Sequence, residues 1–185
     1  SETTMRALFD LCTENMMAMT RLPQPVIAKV NGVAAAAGCQ MVAQCDLAIA
    51  ADHAKFGTSG INVGLYCSTP SVPVTRNLGR KQAFELLMTG DMIPADQACD
   101  WGLINKAVPA EDLDAAVDEM ARKIASKSAM TLATGKRAFY AQAEMPLAEA
   151  YDHATRVMVE NMLARDAEEG IGAFIEKRAP QWQDA

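Results

Sequence analysis

Met5, Leu8, Phe9, Cys12, Met16 and Met19 recur at steps of three and four with polar residues between them. That spacing lays one apolar stripe along a helix, so the chain opens in a helix that Pro23 and Pro25 end. Val26 to Val30 is a short apolar run closed by Asn31-Gly32 and reads as a strand. A run of small side chains, Val33 to Gly38, leads into a helix from Gly38 to Gln44. Leu47 to Ala51 is a second strand, and Ala54 to Gly57 a short third. Strand, small-residue turn, helix, strand is a βαβ arrangement, which predicts an α/β fold with a parallel sheet.

Gly64, Pro70 and Pro73 mark residues 62–75 as a loop. A helix over 81–89 stops at Gly90. Pro94 suits the first helical position of another, which runs to Trp101 and stops at Gly102. Ile104 to Val108 reads as a strand. Leu113, Val117, Met120 and Ile124 give residues 111–126 a helical period, and further helices fall over 130–143, 147–165 and 167–176. Layered βα structure is thus expected over 1–108 and a helical region over 109–185.

Composition narrows the function classes. With 185 residues, 50% hydrophobic and 22% charged, the chain suits one globular domain, or one plus a small appendage. A net charge of -6 leaves no basic stripe to neutralise phosphates, so no nucleic-acid partner is expected. There is no apolar run long enough to span a bilayer, and no membrane partner is expected. Ser1-Glu2-Thr3-Thr4-Met5 lacks the features of a signal peptide. Opening directly in a helix suggests a piece of a longer protein. The five cysteines are odd in number and form no CxxC pair, which points to buried thiols in a reducing cytosol; the location expected is a bacterial-type cytoplasm, with organelle targeting left open. His53 and His153 lie outside any metal-ligand spacing and read as surface residues, so no metal site is expected.

Chemistry concentrates in the alanine run. Tiny side chains between a strand and a helix serve close packing, or let a ligand approach the backbone at a helix N-terminus. There, unpaired N–H groups and the dipole favour an oxygen that gains negative charge. Spacing alone leaves both readings open.

Longer motifs add to this. Residues 25–34 (PVIAKVNGVA), Ala36-Ala37-Gly38-Cys39 and 45–50 (CDLAIA) resemble the central signature of the crotonase (enoyl-CoA hydratase/isomerase) family. Ala54 to Gly57, Gly64-Leu65, 87–90 (LMTG), 95–98 (ADQA), 101–104 (WGLI), 168–171 (EEGI) and 173–178 (AFIEKR) continue the resemblance. It covers nearly the whole chain. Residues 34–40 and 66–70 resemble most the subgroup typified by enoyl-CoA hydratase domain-containing protein three. The resemblance implies a crotonase (ClpP-like) fold of stacked ββα units, a helical C-terminal trimerisation region and an N-terminal part missing from this chain.

It also implies a partner, an acyl-CoA or enoyl-CoA thioester, with coenzyme A entering only as part of the substrate and no separate cofactor. The thioester oxygen would accept the backbone N–H of Ala37, the middle residue of a Gly-Gly-Gly-like turn; a second donor would come from a loop upstream of this chain. Ala36, Ser59 and Leu65 would line the substrate, with Phe174 and Lys177 from the C-terminal region. Lys177 and Arg178 read equally as an ordinary solvated tail. The two glutamates that hydratases use fall at Gln40 and Gly60. Gln40 carries no proton at neutral pH and Gly60 has no side chain, so efficient hydration is not expected. Cys67 is the local candidate for a proton carrier, against the plainer reading of a partly buried, inert thiol. Asp46 is expected to be structural. The class implied is lyase or isomerase in acyl-CoA metabolism, a different thioester-enolate chemistry, or non-catalytic acyl-CoA binding, assembled as a homotrimer or dimer of trimers.

Overall fold

In the computed structural model, which describes residues 1–184, the apolar run Leu47–Ala51 is the centre of a parallel sheet. It is strand β3, between β1 (Ile27–Val30) and β6 (Lys106–Val108). Ile27 pairs with Leu47, and Ile49 with Lys106. A second three-stranded sheet holds β2 (Val33–Ala35), β4 (Lys55–Gly57) and β5 (Ile93–Pro94) in that order. There β2 and β4 are parallel, while β5 is antiparallel to β4. The chain therefore adds one strand to each sheet per turn, β1 and β2 before helix α2 (Ala37–Gln44), then β3 and β4. These are the stacked ββα units expected from the resemblance.

β3 is covered on both faces, as the alternation of a strand allows. Ala48 and Ala50 face a core that includes Phe56, Val74, Leu86 and Leu87. Ile49 and Ala51 face Val108 and Leu113, with Val117 and Met120 of α6 (Leu113–Ala125) behind them. The remaining helices are α1 (Glu2–Arg21), α3 (Ser68–Asn77), α4 (Arg80–Thr89), α5 (Ala95–Trp101), α7 (Ala129–Ala143), α8 (Leu147–Met162) and α9 (Arg165–Glu176). Gly90 and Gly102 take left-handed conformations, φ 73° and 88°, and stop α4 and α5 where expected.

Several expectations fail here. Residues 62–75 are a loop only over 64–67: a 3-10 turn over Ser59–Val63 comes before it and α3 follows it. Pro70 is the third residue of α3, where its absent N–H has no helical acceptor to lose. Pro73 lies deeper, and side chains bond the carbonyls nearby: Thr75 Oγ1 donates to Ser71 O at 2.8 Å and Asn77 Nδ2 to Pro73 O at 2.8 Å. Pro70, Pro73 and Val74 are all buried, so packing decides the helix. Likewise Val33 to Ala35 is a strand rather than a turn, because its backbone pairs with Lys55 to Gly57. Pro94 caps α5 instead of opening it, a one-residue difference.

Residues 1–19 and 26–121 form one compact unit, and 20–25 with 122–185 a second. In the second unit α7 and α8 pack together, and buried Lys136 donates from Nζ to Gln24 O at 2.9 Å. Residues 178–184 are tied down there. Asp166 accepts the Gln183 and Asp184 N–H groups at 2.7 and 3.0 Å, Trp182 Nε1 donates to Ser126 O at 2.8 Å, and Glu169 receives both Arg178 Nη atoms. His153 is not the free surface residue expected: its Nε2 is buried, with no hydrogen-bond partner among the described residues.

Candidate functional site

β2 ends at Ala35 and α2 begins at Ala37, so the chain reverses at one residue. Ala36 does this with φ 47° and ψ -112°, the mirror image of extended backbone, which glycine adopts freely and alanine does not. Two bonds hold the turn: Ala36 N–H donates to Gly57 O at 2.9 Å, and Ala36 O accepts Gln40 N–H at 2.9 Å. Ala37 is thereby the first residue of α2, and a first-turn N–H has no acceptor within its own helix. Ala37 and Gly38 are exposed. An amide donor with the positive end of a helix behind it thus stands at the surface of the first unit.

One turn into α2 the side chains are enclosed. Gln40 is 4% exposed and Cys39 is fully buried. Cys12 Sγ, from α1, lies 4.0 Å from Gln40 Oε1, a weak thiol–amide contact. Burial pushes the Cys39 thiol up to about 12; the Gly57 N–H opposes the shift and nearby Cys67 adds to it. Cys39 is therefore held as a neutral thiol.

The 3-10 turn closes at Gly64, in the left-handed region with φ 78°, and sends the chain back over itself so that Leu65 N–H donates to Gly60 O at 3.0 Å. The Leu65 carbonyl consequently crowds Gly60. A Cβ on Gly60 would lie 2.6 Å from Leu65 O and 2.8 Å from Cys67 Sγ. Cys67 is the N-cap of α3, which packs against α2, and Asn77 at the far end of α3 donates to Ala43 O of α2 at 2.8 Å.

The first unit thus holds Ala36, Ala37 and Gln40 on one element, with Gly60 and Cys67 in contact beside it and Cys67 near Cys39. Ser59 is half-buried on the 3-10 turn, and Leu65 is exposed beyond it. Phe174 and Lys177 belong to the second unit; Phe174 is exposed on α9 and Lys177 caps that helix with φ 55°. Asp46 accepts the Val26 N–H at 2.6 Å, a structural task that ties the end of α2 to the start of β1. Sequence reasoning passed over Cys12, Cys39 and Thr58. Thr58 is buried and donates to Leu86 O at 2.8 Å, fixing the entry to the Gly60 turn.

The sequence pattern of the enoyl-CoA hydratase/isomerase family matches residues 6–185. The chain belongs to that family. It is 49% identical to rat mitochondrial enoyl-CoA hydratase domain-containing protein 3 over 175 residues, 95% of this chain and 58% of the rat protein. Its fold superposes on the crystal structure of human enoyl coenzyme A hydratase domain-containing protein 3 with a TM-score of 0.95 and 46% identity, covering 98% of this chain and 72% of the human one. An enoyl-CoA hydratase from Mycobacterium smegmatis gives a TM-score of 0.96 and 49% identity, covering 98% and 71%. The chain therefore has the crotonase fold and resembles the domain-containing-protein-3 subgroup. It spans less than two thirds of the rat relative's length. One expectation is overturned: the rat, mouse, human and frog relatives are named as mitochondrial proteins, which points to an organelle and away from a bacterial-type cytoplasm.

Proposed function

We propose that this enoyl-CoA hydratase/isomerase family chain belongs to a protein that binds an acyl-CoA or enoyl-CoA thioester and does not hydrate it efficiently. The observation that carries the reading is Ala37, an exposed helix-opening amide delivered by the positive-φ turn at Ala36. A thioester carbonyl accepting that N–H is polarised toward an enolate. Ala36, Gln40, Ser59, Gly60 and Leu65 would line the acyl group, Phe174 and Lys177 of a neighbouring copy would meet the coenzyme A, and a homotrimer or dimer of trimers would be the working form. No cofactor beyond the substrate's own coenzyme A is required.

Hydration across a double bond needs groups that give and take a proton, and such help is worth about 10²–10⁴-fold in rate. Gln40 offers an amide, which can hold a water or a carbonyl but carries no proton. Gly60 offers nothing, and the space beside it is filled by Leu65 O and Cys67 Sγ. That contact favours a second reading, in which the Cys67 thiol moves a proton to or from a thioester enolate. A crotonyl-CoA hydration assay run beside calorimetric binding of a non-reactive acyl-CoA separates these. Binding with negligible hydration supports the main reading, and turnover at rates typical of a hydratase refutes it. Proton–deuteron exchange at the acyl α-carbon that a Cys67→Ser substitution abolishes would support the second.

A further inference from the structure

The second unit contains a cavity none of whose lining residues belongs to the proposed thioester site. It encloses about 340 Å³ between residues 20–25 and α7. Arg21, Arg137 and Tyr140 line it together with Leu22, Pro23 and Ala133, and both arginines are exposed. Among the described residues, neither arginine has an acidic side chain within ion-pairing distance. Arg21 is the last residue of α1, where a positive charge complements the helix dipole. Arg137 lies in the interior of α7, where that explanation does not apply.

The walls are fixed in advance. Pro23 and Pro25 stiffen one side, and Lys136, directly before Arg137, is buried with its ammonium bonded to Gln24 O at 2.9 Å. Two arginines on the lining of one cavity, beside a held backbone, suit a phosphate, whose oxygens accept paired N–H bonds from the planar fork. The volume, at the small end of ligand cavities, suits a phosphate with a compact body. We propose that this cavity binds a small phosphomonoester, with Arg21 and Arg137 on the phosphate and the carbon body against Leu22, Pro23 and Ala133.

The test is calorimetric titration of the whole chain with phenyl phosphate. Saturable one-site binding is expected, weakened about tenfold or more by Arg137→Gln and abolished in the Arg21→Gln/Arg137→Gln double variant. Arg137→Lys keeps the charge, loses the fork and should fall between. Ala133→Met fills the cavity without touching a charge and should also weaken binding, which decides the matter if an arginine variant fails to fold. Inorganic phosphate should compete and acetate should not. Absence of saturable binding, equal affinity in all variants, or acetate competing as well as phosphate overturns the proposal.

Discussion

Cys67 Sγ and the Leu65 carbonyl occupy the space into which a side chain on Gly60 would grow, 2.8 and 2.6 Å from its Cβ position. A carboxylate at this position is therefore excluded by shape as well as absent by sequence. Leu65 O is main chain, held by the bond its own N–H makes to Gly60 O, and cannot swing aside as a side chain could. Gly60→Ala should accordingly lose about 1–3 kcal/mol of stability in chemical denaturation, the usual cost of overpacking. Adding Cys67→Ala should recover only part of the loss, because the carbonyl contact persists.

Ala36 offers the opposite sign. Its φ of 47° suits glycine, so Ala36→Gly should relieve strain at the turn and raise stability by up to about 1 kcal/mol, although glycine also loosens the unfolded chain. Denaturant midpoints of the two proteins test this.

The Glu169–Arg178 pair makes stability depend on pH. Bonds from Arg178, then from the Gln181 N–H, lower the Glu169 carboxyl from 4.5 to about 2. A carboxylate whose pKa is lower in the folded state contributes stability that is complete above its unfolded value and lost as pH falls toward the folded one. The stability gap between the wild-type chain and Glu169→Gln should therefore be constant near neutrality and close between about pH 4.5 and 2. Urea denaturation over that range gives the gap directly.

Thiol reactivity should divide the cysteines. Cys39 is fully buried with its thiol pushed up to about 12, so it should resist alkylation at mildly alkaline pH until the chain unfolds. Cys67 is only partly buried and should react first of the two. Mass-spectrometric mapping of iodoacetamide adducts in native and denatured protein provides the check.

How far the sequence revealed all this varied with the physics of each segment. Leu47 to Ala51 was legible because a strand buried on both faces must be apolar throughout, and α4 and α5 because Gly90 and Gly102 supply the left-handed stops. The α3 helix was hidden by Pro70 and Pro73, since local propensity argued for a loop and only burial of those rings reverses it. β2 was hidden because alanines signal no strand, and its pairing with β4 depends on residues more than twenty positions away. At the candidate site, the family resemblance pointed to Ala37, Gln40 and Gly60. It could not show that Ala36 carries the strained turn, that Cys12 reaches Gln40 across 28 positions, or that Leu65 O closes the space at Gly60. Those are tertiary facts, set by where separate elements meet.

In the proposed function, thioester recognition turns on the amide of Ala37, whose NMR signal reads that contact without any assay of turnover. Titration with a non-reactive acyl-CoA should move the Ala37 proton resonance downfield in proportion to occupancy, as expected when an amide begins to donate to a carbonyl oxygen. Saturable binding that leaves the Ala37 signal in place would contradict the account.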